Sequence, residues 1–167
     1  ISTYALYQIN LNFKSMFKKK ILFSVILFYL MFIIYKMTIY HPYQNIYFNS
    51  FFNKTAHEKF EVDYWGLSGR KFLTDILGLE KKKDPIMIGV ASYLPLERSI
   101  KLLDKEDRER IVIVGQEYEN AHYIYSNLMS EVDKNYDDKY KIPSNFSKNY
   151  EFVVDGITVY EVYKKIN

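Results

Sequence analysis

The run Ile21 to Tyr35, ILFSVILFYLMFIIY, contains no charged residue, and its apolar character continues past Lys36 to Tyr40. Twenty helical residues rise about 30 Å, the hydrocarbon thickness of a bilayer. The sequence therefore predicts a transmembrane helix over about 21–40. Its flanks give a direction. Lys18, Lys19 and Lys20 stand immediately before it, whereas His41, Pro42, Tyr43 and Gln44 follow it. The positive-inside rule then puts the N-terminal side in the cytoplasm and everything after Tyr40 outside it, at the cell membrane. Lys36 lies near enough to the far end to snorkel, and Tyr35, Tyr40, Tyr43 and Tyr47 suit an interfacial belt. A cleaved signal peptide would have a shorter apolar region followed by small residues, and no small-x-small site follows Tyr40.

Charge is distributed in keeping with this. The net charge is +3, yet five of the 23 basic residues lie in residues 1–40 with no acid among them, which leaves 18 basic against 20 acidic residues in the remainder. Positive charge gathers beside the apolar run and forms no basic face, so nucleic acid is not an expected partner. The absence of cysteine excludes a disulfide framework and thiolate chemistry. The three histidines, His41, His57 and His122, are too scattered to suggest a metal site. Seventeen Tyr and twelve Phe suit a protein that works where one end of a ring is apolar and the other wet.

The chain divides into a membrane segment (1–40), an interfacial loop (41–63) and an extracytoplasmic α/β domain (64–167). Phe72, Leu73, Ile76 and Leu77 recur at helical spacing, predicting a helix from about Tyr64 to Leu77 with Asp63 as N-cap and Gly78 as C-cap. Gly69 is unexpected inside it, since glycine costs about 1 kcal/mol there relative to alanine. Ile86–Ser92, Leu96–Asp104 and Arg110–Gly115 read as strand, helix and strand, the two β-branched runs suiting neighbours in a parallel sheet. A third strand is expected at Ala121–Asn127. The stretch from Leu128 reads as an irregular connection, and the chain closes on YEFVVDGITVYEVYKK, in which Asp155-Gly156 is a strong hairpin signal. The expected fold is α/β: an N-terminal transmembrane helix, then a small domain of about five strands in a mixed sheet, ending in a C-terminal β-hairpin. No G-x-G-x-x-G loop follows the strands that end at Gly89 and Gly115, so a dinucleotide cofactor is discounted.

HPYQNIYFN directly after a membrane helix, FEVDYWGLS some twenty residues later, a short α/β stretch and a closing EFVVDGITVYEVYK together resemble the C-terminal end of GT-C membrane glycosyltransferases. Among these, the pattern is similar to the dolichyl-phosphate-mannose–protein mannosyltransferases of glycosyltransferase family 39. The resemblance covers roughly Phe17 to Lys165. It implies a multi-pass enzyme that passes a sugar from a polyprenyl-phosphate donor to a protein or glycan acceptor on the outer side of the membrane, with no cofactor. In that family the catalytic Asp lies in an early extracytoplasmic loop, so the resemblance implies that this chain, which opens on Ile1 and reads as a fragment, holds no catalytic residue. The alternative is a single-pass, membrane-anchored binding or scaffold domain that performs no chemistry.

Two stretches hold candidate substrate-binding residues, each with a plainer structural reading. In FEVDYWGLS, Asp63 either caps the helix while Trp65 packs its indole beneath the first turn, or Asp63, Tyr64 and Trp65 form an aromatic and acidic rim that stacks on a sugar and accepts its hydroxyl hydrogen bonds. Glu61 and Asp63, two apart, would point the same way if extended. In HPYQNIYFN, Pro42 ends the helix and the tyrosines anchor it at headgroup level, or His41, Tyr43 and Gln44 line the approach to a lipid phosphate.

Overall fold

The computed structural model describes residues 3–4, 7–8, 15–46, 60–81, 84–129 and 138–166. Its two compact units are Ile1–Gln44 and Asn45–Asn167. The first is dominated by α1, Met16–Ile39, the one helix among the described residues long and apolar enough to cross a membrane. None of its residues is buried by protein, and its apolar side chains surround the axis, as in a helix whose solvent is hydrocarbon. It begins five residues before the uncharged run, because Lys18, Lys19 and Lys20 are good helix formers and extend its first turn. It ends at Ile39, where Tyr40 donates its backbone N–H to Lys36 at 3.0 Å. Near this end the Lys36 ammonium donates to the Tyr40 hydroxyl at 3.0 Å and sits 5.7 Å from the Phe32 ring centroid. Tyr47 of the expected belt lies outside the described residues.

In the second unit the β-branched runs form the expected parallel pair. β1 (Ile86–Val90) and β2 (Ile111–Gly115) lie in register from Ile86 opposite Ile111. β3 (Tyr123–Ser126) is parallel to β1 on its other side, and β4 (Phe146–Val154) and β5 (Ile157–Lys165) form an antiparallel hairpin whose β5 joins β3. The five-stranded mixed sheet has the order β2-β1-β3-β5-β4. Asp155 and Gly156 both have positive φ, +51° and +80°, as a type I′ turn requires.

The helix α2, Ser68–Leu79, presents Phe72, Leu73 and Ile76 to the core. Phe72 stacks 4.8 Å from Tyr125 and 6.0 Å from Tyr160, which places α2 on the sheet face carried by β3 and β5. Neighbouring strand residues point oppositely. Ile124 and Tyr163 accordingly face the second cluster, with Ala91, Tyr118, Ala121 and Phe146.

Three local expectations are corrected. α2 starts at Ser68 and not Tyr64, because residues 62–65 form turns and Gly66 has a φ of +63°, a left-handed conformation that no helix contains. Gly78 lies within the last turn and not at the cap, since Glu80 closes the helix by donating its N–H to Ile76 at 2.9 Å. The stretch 96–104 is not one helix. Within it only Glu97–Ile100 is helical (α3), and a separate helix, α4 (Lys105–Glu109), starts after Asp104, which is extended, with φ −64° and ψ 159°.

Gly69 has a steric explanation. A Cβ there would lie 2.4 Å from Ser99 Oγ and 2.9 Å from Leu96 Cδ1, so the bare backbone lets α2 approach α3 closely. At Gly78 a Cβ would meet nothing within 4 Å. Gly78→Ala should therefore stabilise the second unit by about 0.5–1 kcal/mol. Gly69→Ala should lower stability, because overpacking of about 1–3 kcal/mol outweighs the same propensity gain. Urea midpoints of the two variants in detergent micelles, moving in opposite directions, are the expected result; a shared direction would show that the α2–α3 contact yields freely.

Candidate functional site

Asp63 is 1% exposed, and what surrounds it explains how a carboxylate sits so deep. Its Oδ2 accepts the Ser68 hydroxyl at 2.6 Å and the Asn127 amide at 3.1 Å, with the Tyr125 hydroxyl at 3.4 Å. Its Oδ1 accepts the Ser68 backbone N–H at 3.3 Å. Asp63 thus satisfies an N–H at the start of α2 from outside the helix, while the N-cap position itself belongs to Leu67. The Ser68 and Tyr125 hydroxyls are 2.5 Å apart. Asn127 continues the chain, its Oδ1 accepting the Ser92 hydroxyl at 2.5 Å and the Met129 N–H at 3.3 Å. Burial pushes the Asp63 carboxyl above its ordinary value, opposed by hydrogen bonds from Ser68, Asn127 and Tyr125.

These bonds join three loops at the carboxyl ends of β1 and β3: residues 60–67, 91–96 and 127–129. Tyr93 donates its N–H to the Met129 carbonyl at 3.0 Å, and a Cβ on Gly66 would touch Leu94 Cδ1 at 3.6 Å. In open α/β sheets, ligands bind just beyond this strand end. Here the buried polar side chains lock the loops together, and the large side chains presented to solvent are apolar, Tyr64, Trp65 and Tyr93 among them.

Trp65 corrects the packing reading given to it, because it is 73% exposed and not beneath the first turn of α2. Its ring lies edge-on to Tyr64, also exposed, with centroids 5.1 Å apart. Gly66, just after Trp65, has a positive φ that separates this turn from α2, and the indole stands in solvent instead of packing under the helix it was expected to support. Glu61 is exposed and Asp63 buried, so the two carboxyls do not share a direction. In the first unit, His41 and Gln44 lie 2.9 Å apart through Nδ1 and Nε2, and Gln44 also donates to the Met37 carbonyl at 3.2 Å. Tyr43 is buried, with its backbone N–H donated to Tyr40.

At the opposite end of the sheet, a cleft of about 420 Å³ is lined by Glu80, Asp84, His122, Tyr123 and Lys164, among others. Within it Tyr123 donates to Glu80 at 2.5 Å, and Lys164 lies 3.6 Å from the same carboxylate. The Tyr123 hydrogen bond, helped by Lys164, holds Glu80 below its usual value. Among the described residues, no three His, Asp or Glu side chains are grouped to hold a metal ion.

No protein-family model, no curated protein and no solved structure matches this chain.

The exposure of Trp65 sets one expectation: Trp65→Ala should change the stability of the second unit by less than about 0.5 kcal/mol, as exposed substitutions do, and not by the several kcal/mol of a core aromatic. A large loss in denaturant titration would place the indole inside. Asp63 sets another. Its folded value lies above the unfolded one of 3.8, so at pH values between the two the folded state holds a proton that the unfolded state has released. The stability this gives is fully present below the unfolded value and is lost as pH rises through the folded one. Urea midpoints taken at steps from pH 4 upward should fall for the wild type relative to Asp63→Asn, which does not titrate; parallel profiles would mean that Asp63 titrates normally.

Proposed function

We propose that this chain is the C-terminal part of an integral-membrane glycosyltransferase of the GT-C type, anchored by α1, with its α/β unit on the outer side of the membrane. The enzyme would transfer a sugar from a polyprenyl-phosphate donor to a protein or glycan hydroxyl. In that reaction the acceptor oxygen bonds to the anomeric carbon, the bond from that carbon to the phosphate oxygen breaks, and the polyprenyl phosphate departs. The hydroxyl proton passes to a carboxylate outside this chain. The role of the present residues is to bind and position.

The observation that carries this reading is the pairing of an all-round apolar helix of membrane length with a domain whose loop FEVDYWGL exposes Tyr64 and Trp65. Aromatic faces suit the apolar faces of sugar rings, and the Asp63 network holds the pair's loop rigidly without Asp63 itself reaching the ligand. His41 and Gln44 would act where the chain leaves the bilayer, beside a lipid phosphate. Preorganised loops lose less ordering entropy when they bind.

Two measurements test it. The coding sequence upstream of Ile1 should encode further hydrophobic spans and an acidic extracytoplasmic loop; a start codon immediately before Ile1 would favour the single-pass scaffold instead. In the full-length protein, Trp65→Ala should leave the fold intact and reduce sugar transfer from a polyprenyl-phosphate donor at least tenfold. Unchanged transfer would remove Trp65 from the site.

A further inference from the structure

The three loops at the carboxyl ends of β1 and β3 show six large apolar side chains to solvent: Phe60, Tyr64, Trp65, Leu67, Tyr93 and Leu128. Their sequences, FEVDYWGL, ASYLPL and NLM, carry only two charges, and one of these, Asp63, is buried. Apolar clusters of this kind at one end of a small domain mark contact surfaces. Leu128 adds an independent sign. It has a φ of +61°, a region that a bulky residue occupies at a cost, and it stands exposed there. Its N–H donates to the Ser126 hydroxyl at 3.4 Å, and the neighbouring Met129 N–H is fixed by Asn127, so local bonds hold the strained conformation. Strain maintained in order to present a leucine to water is unrewarded unless something apolar covers it.

Two features select the partner. First, α1 can cross a bilayer, and Asn45, six residues past Ile39, already belongs to the second unit and donates its amide to the Val62 carbonyl at 3.4 Å, so at most about 20 Å of chain ties the first of these loops to the end of α1 and keeps it within range of lipid. Tethering of that kind raises the effective concentration of the surface and lets weak contacts count. Second, the chemistry is that of a bilayer interface: Trp and two Tyr for the headgroup level, Leu and Phe for the acyl boundary, and no lysine or arginine. We propose that these three loops form a lipid-contacting face that seats the α/β unit in the headgroup layer of the membrane α1 crosses, without any need for anionic lipid. The proposal rests on α1 as a membrane anchor and stands apart from the transferase reading. A donor's sugar phosphate lies at the same depth, so one face can serve both.

Trp65 is the only tryptophan of the chain, so its fluorescence reports on this face alone. The full chain is reconstituted into phosphatidylcholine vesicles containing lipids brominated or nitroxide-labelled at several depths. The expected result is strong quenching of Trp65 by the shallowest labels, a blue-shifted emission and weak quenching by aqueous acrylamide. The double variant Leu67→Gln and Leu128→Asn should fold normally, since Asn accepts positive φ, and should cut lipid quenching at least twofold while raising acrylamide quenching. Trp65 indifferent to labelled lipid but freely reached by acrylamide overturns the proposal. So does protection from acrylamide without lipid quenching, which would assign the face to a protein partner or a second copy. Protection that appears only when a polyprenyl-phosphate sugar is added would overturn it and leave the transferase reading standing. Lipid quenching in a full-length enzyme whose Trp65→Ala variant transfers sugar normally would do the reverse.

Discussion

A single carboxylate organises the second unit. Asp63 is buried, and an unpartnered ion so placed would cost several kcal/mol, so donors must converge on it. They come from the start of α2, from the end of β3 and from the residue just after it, and Asn127 extends the arrangement to the loop that follows β1. Each donor depends on the others. Removing the acceptor would leave several buried groups without partners at about 1–3 kcal/mol each. The geometry of the three loops is therefore a property of the core and is not free to drift with solvent.

That rigidity gives the exposed aromatics their interest. Tyr64 and Trp65 sit between Asp63, fixed by hydrogen bonds, and Gly66, fixed by its positive φ and by Leu94 beside it. Side chains held by so short and constrained a segment keep their directions without contributing much to stability. A binding surface is most useful in that condition, since its ordering entropy has already been lost in folding. The opposite end of the sheet differs: at its cleft Glu80, Tyr123 and Lys164 satisfy one another.

Much of the architecture was legible in the residues. Apolar β-branched runs marked β1 and β2, Asp155-Gly156 marked the hairpin, and the uncharged stretch marked α1, because each signal is local. The misses share a cause. The start of α2 depends on a hydrogen bond from Ser68 to Asp63 that no helical period encodes, and the partners Tyr125 and Asn127 come from more than sixty residues away. The exposure of Trp65 was invisible for the same reason, since an indole next to a helix start suits either a buried or an exposed place. Gly69 stood out as an anomaly in sequence, and only the approach of Ser99 and Leu96 explains it. Ser92, the far end of the polar chain, carried no signal at all.

The sheet order has a temporal consequence. β3 holds the centre, with β1 on one flank and β5 on the other, and β5 supplies Tyr160 to the aromatic cluster under α2. A ribosome delivers β1, β2 and β3 well before β5, so for the interval needed to make some thirty more residues the middle strand is an open edge that lacks Tyr160 against Tyr125. During that interval the nascent chain would be a substrate for chaperones and proteases, and maturation would be set by the arrival of its last strand.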